Sequence, residues 1–398
     1  MRAGTRVRMI NSAGSGPWSC RAGIALAGLL ALAPVAAAGD AWSPDACTAF
    51  ALFCDDQALV GKNLDWPIDA GILCLNPRGL RKWAWTDTDG CAEGGPNARP
   101  LEWVATYASL SFNQFGREFP LGGLNEAGLA VEETSYWPSA YPPAAGRPQI
   151  NELQWIQYQL DRRGTVADVI EHAGECAVRP MIARVHYFLA DAEGDAAVIE
   201  FLDGEMRIHH GVALPVPVLT NDTYANSVRY LARHAGFGGE RHVGDGHDSP
   251  ERFVRVAGLL QGYGRAAQAD QPDNAVEHAF AILSAVAQAD TQWSIVYDLR
   301  ARAVRFVTAG VAHERWIALR DLPCDCGLPR LALPLHDPHP GDVAARLAPW
   351  GAADQERLAT VVLAQLAPEA DLADSARARL TRALVKHGSI LPVCEKRR

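Results

Sequence analysis

The order in which apolar runs alternate along the chain constrains its fold more than any single motif. From Thr48 onward, short β-tolerant runs come first, at 48–54 (TAFALFC), 58–64, 71–75 and 101–112, separated by Gly, Pro, Asn and Asp. Residues 121–135 continue as two strands joined at Asn125-Glu126-Ala127-Gly128. Helical spacing then takes over: Leu153, Ile156, Tyr158 and Leu160 within 150–161, and Val166, Val169 and Ile170 within 165–173. Residues 185–210 return to strand alternation with Gly turns. Residues 251–260 and 274–288 are helical in pattern, and 294–307 form a strand pair turning near Arg300-Ala301. Strands, helices, strands and helices in that order are accommodated by antiparallel sheets with helix layers on both faces, an α+β architecture. The segments 87–99 and 136–148 are loop-like. From Ala344 the chain becomes Ala/Leu/Arg-rich, with helical patterns at 355–366 and 375–387, so a domain over 47–337 is expected to carry a helical C-terminal extension over 338–398.

The N-terminus has the pattern of a targeting segment. Arg2, Arg6, Arg8 and Arg21 precede an Ala/Leu-rich run over 22–38, which ends in Ala36-Ala37-Ala38 before Gly39. That pattern implies a signal peptide over 1–38, a short propeptide over 39–46 and a periplasmic or secreted product. As a membrane anchor the run is near the lower length limit and is broken by Gly23, Gly28 and Pro34. No later stretch is long and apolar enough to span a bilayer. A formal net charge of -9 argues against a nucleic-acid partner. Of nine cysteines, Cys20 leaves with the signal, and Cys47, Cys54, Cys74, Cys91, Cys176, Cys324, Cys326 and Cys394 remain. Export permits disulfides, but the sequence does not pair them. Cys324-Asp325-Cys326 has no second Cys/His pair at zinc spacing nearby, so no metal is expected there.

Cys47 stands at the head of the first strand, between Ala46 and Thr48. Cleavage of the Ala46-Cys47 bond would give one residue both a thiol and a free α-amine. That amine, with an ordinary pKa near 8, can act as base for its own side chain. Gly61-Lys62-Asn63-Leu64-Asp65-Trp66 ends the next run. If the two runs pair as a hairpin, Asp65 returns beside Cys47, where its carboxylate can hold the amine. Lys62 can favour the thiolate electrostatically. A buried structural cysteine followed by a polar turn is the alternative for the same residues.

Taken in order, CTAFAL, GKNLDW, GLNEAGLAVEE and VLTNDTYAN resemble the choloylglycine hydrolase and penicillin V acylase family, over roughly residues 47–310. The resemblance implies a four-layer αββα sandwich and a cysteine nucleophile exposed by processing. It also implies hydrolysis of linear amide C–N bonds in small N-acyl substrates through an acyl thioester, with no metal or organic cofactor. Cys47 matches the nucleophile, and Asp65 matches the aspartate that holds the α-amine. Asn221 matches the asparagine whose side chain points into the oxyanion hole, and Ser135 the residue whose backbone N–H completes that hole. Lys62 stands where the family usually has Arg, keeping the charge but losing the planar fork. The family's later arginine, expected near 290–294 (DTQWS), has no match there. With a signal cut after Ala38, a second cut is needed to expose Cys47, and the resemblance implies autocatalytic processing. Relatives of this kind often form homo-oligomers.

His209-His210 and the His336, Asp337 and His339 loop fit solvated or packed side chains better than ligands. Trp83, Trp85, Trp103, Trp137 and Trp155 fit core packing better than an acyl pocket. An acyltransferase of the same fold and a catalytically silent binding protein remain alternatives to the hydrolase. The acyl and amine specificity stays open among bile-salt conjugates, penicillin V, N-acyl homoserine lactones and other N-acyl amines.

Overall fold

The computed structural model describes residues 47–54, 57–85, 99–268, 274–366 and 393–394. The expected signal peptide, propeptide, most of the 87–99 loop with Cys91, and the 375–387 helix lie outside the described residues.

Two large sheets form the centre. The first orders its strands Val218–Leu219, Thr48–Cys54, Gln57–Asp65, Thr291–Asp298, Ala303–Thr308, Val311–Ala318 and Gly341–Asp342. The second runs Glu205–His210, Ala196–Leu202, Val185–Ala190, Ala130–Ser135, Pro120–Asn125, Ser109–Asn113, Ile72–Asn76, Leu331–Pro334 and Ala348–Pro349. Apart from the parallel pairing of Gly341–Asp342 with Val311–Ala318, the pairings in both sheets are antiparallel. Helices Ser249–Gln268 and Ala275–Ala285 pack on the first sheet, and helix Glu152–Arg162 packs on the second. The order is helix, sheet, sheet, helix, so the expected αββα sandwich is the observed architecture.

Local chemistry explains the elements. Strand Thr48–Cys54 pairs with Gln57–Asp65 in the register Thr48↔Asn63, Phe50↔Gly61 and Cys54↔Gln57. The turn at Asn125 is closed by its own side chain: Oδ1 accepts from the N–H groups of Ala127, Gly128 and Leu129, and Gly128 adopts φ 98°. Asn151 caps helix Glu152–Arg162 by accepting from Gln154 N, and Asn274 caps Ala275–Ala285 by accepting from Val276 N. Trp155, stacked on Tyr187 with centroids 4.2 Å apart, lies in the apolar layer between the helix and the second sheet. Trp103 and Trp155 are buried, while Trp137 is exposed.

Residues 101–112 do not form the single strand their pattern suggests. The chain breaks into Glu102–Val104, in a small sheet with Leu80–Trp83 and Val393–Cys394, and Ser109–Asn113 in the second large sheet. Between them the N–H groups of Thr106 and Tyr107 both donate to the Asp161 carbonyl at the end of helix Glu152–Arg162, which turns the chain from one sheet to the other.

The segment after residue 337 is strand as well as helix. Gly341–Asp342 joins the first sheet, and Leu358, Ala359, Val362 and Leu363 of helix Ala352–Leu366 enter the main core. Cys326 and Cys394 form a disulfide. Cys324, its near neighbour, is buried and free.

Gly61 shows how tightly the first hairpin is packed. A Cβ there would meet Phe50 Cζ at 2.3 Å and Cε1 at 2.5 Å, so the Phe50 ring occupies that space. Gly61→Ala is expected to cost about 1–3 kcal/mol of unfolding free energy by overpacking, measured by urea denaturation. An unchanged midpoint would show that the ring is not held there.

Candidate active site

The sandwich gathers residues of the first hairpin, of both sheets and of helix Ser249–Gln268 around Cys47. Cys47 itself is 3% exposed and is not in a disulfide. The hairpin register places Lys62 opposite Ala49, and the Lys62 ammonium crosses the space between the sheets to donate to the Glu133 carbonyl. It also lies 4.0 Å from Glu132 Oε2. The next residue, Asn63, faces the opposite side: its Nδ2 donates to the Leu283 carbonyl of helix Ala275–Ala285 at 2.8 Å. Alternation along the strand therefore sends the lysine, and not its neighbour, toward the sulfur.

Asp65 ends the strand. Thr291, its partner across the sheet, donates its hydroxyl to Asp65 Oδ1. Oδ2 is buried and has no partner among the described residues. Asn221 follows strand Val218–Leu219 and precedes the Thr223 cap of helix Tyr224–Leu231. Its Nδ2 reaches the other sheet, donating to the Ser135 carbonyl at 2.9 Å and to Ser135 Oγ at 3.1 Å. Asn221 and Ser135 are thus joined directly, through the serine carbonyl and hydroxyl.

Arg252 was not marked by the sequence. It comes from helix Ser249–Gln268 and is fully buried. Its Nη1 donates to the Cys47 carbonyl and to Thr48 Oγ1, both at 2.7 Å, and its Nη2 donates to Asn221 Oδ1 at 2.9 Å. Nε donates to the His247 carbonyl at 3.0 Å. One planar guanidinium therefore fixes both Cys47 and the Asn221 amide, and orients Asn221 so that its NH₂ faces Ser135. The stretch 290–294 supplies no arginine; instead Thr291 bonds Asp65, and Ser294 Oγ donates to Asn63 Oδ1 at 2.7 Å. A signal for Arg252 did exist: it lies on the helix face of Val256 and Leu259 at i+4 and i+7, so a charge falls on an apolar stripe.

The electrostatics follow from burial. Burial pushes the Cys47 thiol up to about 11, opposed by Lys62 and by a hydrogen bond from the Asp65 backbone, with Glu133 and Asp65 adding to the rise. Burial alone would lower Lys62, but the Cys47 sulfur and the carboxylates of Glu133, Glu132 and Asp65 hold it above the usual lysine range. Asp65 is pushed up to about 7 by burial, against the Thr291 hydroxyl and the Arg252 charge. In the uncut chain the sulfur is therefore a neutral thiol at pH 7 and needs a base. Elsewhere, His209 Nε2 lies 2.8 Å from Glu200 Oε2 and His210 Nε2 2.8 Å from Asp195 Oδ2.

Residues 47–295 match the family model for linear amide C–N hydrolases, choloylglycine hydrolase family. The match begins at Cys47 and covers more than half of the chain. The αββα sandwich and this match define the class: an amide hydrolase acting on linear C–N bonds. The chain belongs to the choloylglycine hydrolase family. Penicillin V acylase of Pectobacterium atrosepticum is 25% identical, with 70% of this chain and 82% of that protein covered. The structure of penicillin V acylase from Agrobacterium tumefaciens superposes with a TM-score of 0.63 at 23% identity, covering 76% of this chain and 98% of that one. A mutant of conjugated bile acid hydrolase from Clostridium perfringens superposes with a TM-score of 0.57 at 18% identity, covering 70% and 94%.

Two outcomes are expected. Arg252→Lys keeps the charge but loses the fork, so it should lower kcat for amide hydrolysis about a hundredfold by loosening Cys47 and Asn221 together; steady-state kinetics would reveal full activity if the fork were dispensable. The second concerns pH. Because Asp65 titrates higher folded than unfolded, the stability it contributes is complete below about pH 4 and is lost as pH rises through about 7. In a chain carrying Cys47→Ala, adding Asp65→Asn should therefore shrink the fall in urea midpoint between pH 4 and pH 8; an undiminished fall would assign the dependence to other groups.

Proposed function

We propose that this chain is the precursor of an exported hydrolase that cleaves linear amide bonds of N-acyl substrates with Cys47 as its N-terminal nucleophile. The observation that carries this reading is the convergence on buried Cys47 of Lys62 and Asp65, which act on its thiol, and of Arg252, which joins its carbonyl to the Asn221 amide. Cleavage of the Ala46-Cys47 bond frees the α-amine. The buried Asp65 carboxylate, with an acceptor oxygen to spare, is suited to hold that amine.

The chemistry runs as follows. The α-amine takes the thiol proton, and Lys62 stabilises the thiolate. The sulfur attacks the amide carbon, and the carbonyl oxygen becomes an oxyanion. Asn221 Nδ2 exchanges its bond to the Ser135 hydroxyl for one to the oxyanion, and the Ser135 backbone N–H completes the pair. The C–N bond breaks as the ammonium of Cys47 returns its proton to the leaving amine. Water, deprotonated by the same amine, attacks the thioester and releases the carboxylic acid and the thiol. Arg252 keeps Asn221 oriented throughout. The disulfide between Cys326 and Cys394 supports a periplasmic or secreted location, since such bonds persist in oxidising compartments.

The intact mass and N-terminal sequence of the active protein test the reading. The expected N-terminus is Cys47, with Cys47→Ala uncut and inactive. Asn221→Ala should be cut but lose about 10²–10³-fold in kcat. Full activity in protein that retains the Ala46-Cys47 bond would refute the proposal.

A further inference from the structure

Asn221 and Ser135 are the two ends of the proposed oxyanion hole, and each is continuous in sequence with a residue that touches one buried histidine. His186 lies at the centre of strand Val185–Ala190 and is fully buried. Its Nε2 donates to the Thr220 carbonyl at 2.8 Å, and Thr220 is the residue before Asn221. Its ring stacks on Tyr136, the residue after Ser135, with centroids 5.3 Å apart and planes 19° from parallel. Its Nδ1 faces Glu200 Oε1 at 3.4 Å.

The partners fix what the ring does. A carbonyl oxygen only accepts, so Nε2 must carry a hydrogen. Glu200 accepts from His209 Nε2 at 2.8 Å and from the Tyr224 N–H at 2.9 Å as well as facing His186. Burial alone would raise the Glu200 carboxyl, but the hydrogen bonds from His186, His209 and Tyr224 bring it down to about 2. It is therefore an anion, held by His209 and Tyr224 on the side of the ring that Nδ1 faces. Nε2 donates to the Thr220 carbonyl while Nδ1 faces the Glu200 carboxylate, so the two contacts fix the plane and direction of the ring. Thr134 Oγ1 adds a second donor to the same carbonyl at 3.1 Å, from the strand that ends in Ser135. The Thr220 side chain is tied separately: its Oγ1 donates to the Ser249 carbonyl at 3.1 Å and accepts from Ser249 Oγ at 2.9 Å. The peptide that carries Asn221 is thus held against the second sheet.

We infer that His186, oriented by Glu200, is a positioning residue for the oxyanion hole, setting Asn221 through the Thr220 carbonyl and Ser135 through Tyr136. The inference rests on the proposed role of Asn221 and Ser135. It predicts a defect mainly in transition-state stabilisation, because the hydrogen bonds and the ring contact of His186 go to Thr220, Glu200 and Tyr136 and none to the sulfur.

Three variants of the processed protein test it. His186→Phe keeps a flat ring against Tyr136 and removes both ring nitrogens. His186→Gln restores a donor for Thr220. Glu200→Gln removes the charge that orients the ring. With penicillin V, a conjugated bile salt and an N-acyl homoserine lactone as probes, His186→Phe should lower kcat about tenfold or more on the substrate that the wild type turns over, with KM changed less than about twofold. His186→Gln should recover part of the loss, and Glu200→Gln should fall between. Alkylation of Cys47 by iodoacetamide should proceed at the wild-type rate in all three. Equal losses in kcat and alkylation rate, or no rescue by glutamine, would overturn the inference in favour of a merely structural histidine. A crystal structure of His186→Phe gives a readout independent of turnover: Asn221 Nδ2 should withdraw from Ser135, and an unmoved Asn221 would overturn the inference even if the catalytic reading stands. Wild-type protein inert toward every probe, with Asn221 withdrawn in the variant, would leave the positioning intact and remove the hydrolase reading.

Discussion

The register of the first hairpin governs the site. Thr48 pairs with Asn63 and Ala49 with Lys62, so Lys62 reaches into the space between the sheets and Asn63 reaches toward the helices. A slip of one residue would reverse both. Lys62 would then have to bury its charge among helix side chains, and Asn63 would lose the Leu283 carbonyl. The Phe50 ring, lodged where a side chain on Gly61 would be, is what such a slip would dislodge. Packing of an apolar ring thereby fixes the position of a charge close to the nucleophile.

Around that register the protein collects buried polar groups, each expensive alone and tolerable together. Arg252 is the clearest case. It sits inside an apolar helix face, yet four of its bonds are accounted for by the carbonyls of Cys47 and His247, Thr48 Oγ1 and Asn221 Oδ1. Lys62 is surrounded by three carboxylates and the sulfur. Glu132, pushed up to about 8 by burial against the pull of Lys62, belongs to the same set. Gly122 allows this carboxylate to fit, since a Cβ there would meet Glu132 Oε1 at 2.0 Å. The positions that tolerate no side chain are thus tied to the charges as well as to the core.

How legible this was in the sequence depended on range. Cys47, Lys62 and Asp65 lie in one hairpin, where alternation and a short connection decide geometry. The pattern CTAFAL followed by GKNLDW therefore exposed them. Asn221 and Ser135 could be named only because the order of the later motifs resembled a known family; nothing in their own neighbourhoods predicts that an asparagine amide crosses between sheets to a serine. Arg252 and Thr291 were missed because their approach to the site is created by helix packing and by the pairing of distant strands. His186 was hidden for the same reason, as one residue in an alternating strand. The break in 101–112 went unforeseen because its cause is the Asp161 carbonyl, an acceptor at the end of a helix some fifty residues on.

The bond between Cys326 and Cys394 closes a ring of chain 68 residues long, and helix Ala352–Leu366 lies within it. At one end of the ring Leu331–Pro334 is zipped into the second sheet, and at the other Val393–Cys394 is zipped to Leu80–Trp83. The helix is therefore not a loose appendage that can peel away from a finished globule. It lies inside a covalently closed stretch of chain, and its Leu358, Ala359 and Val362 are buried in the main core. Reductant should consequently open this ring at a point distant in sequence from the thiol at the protein's heart.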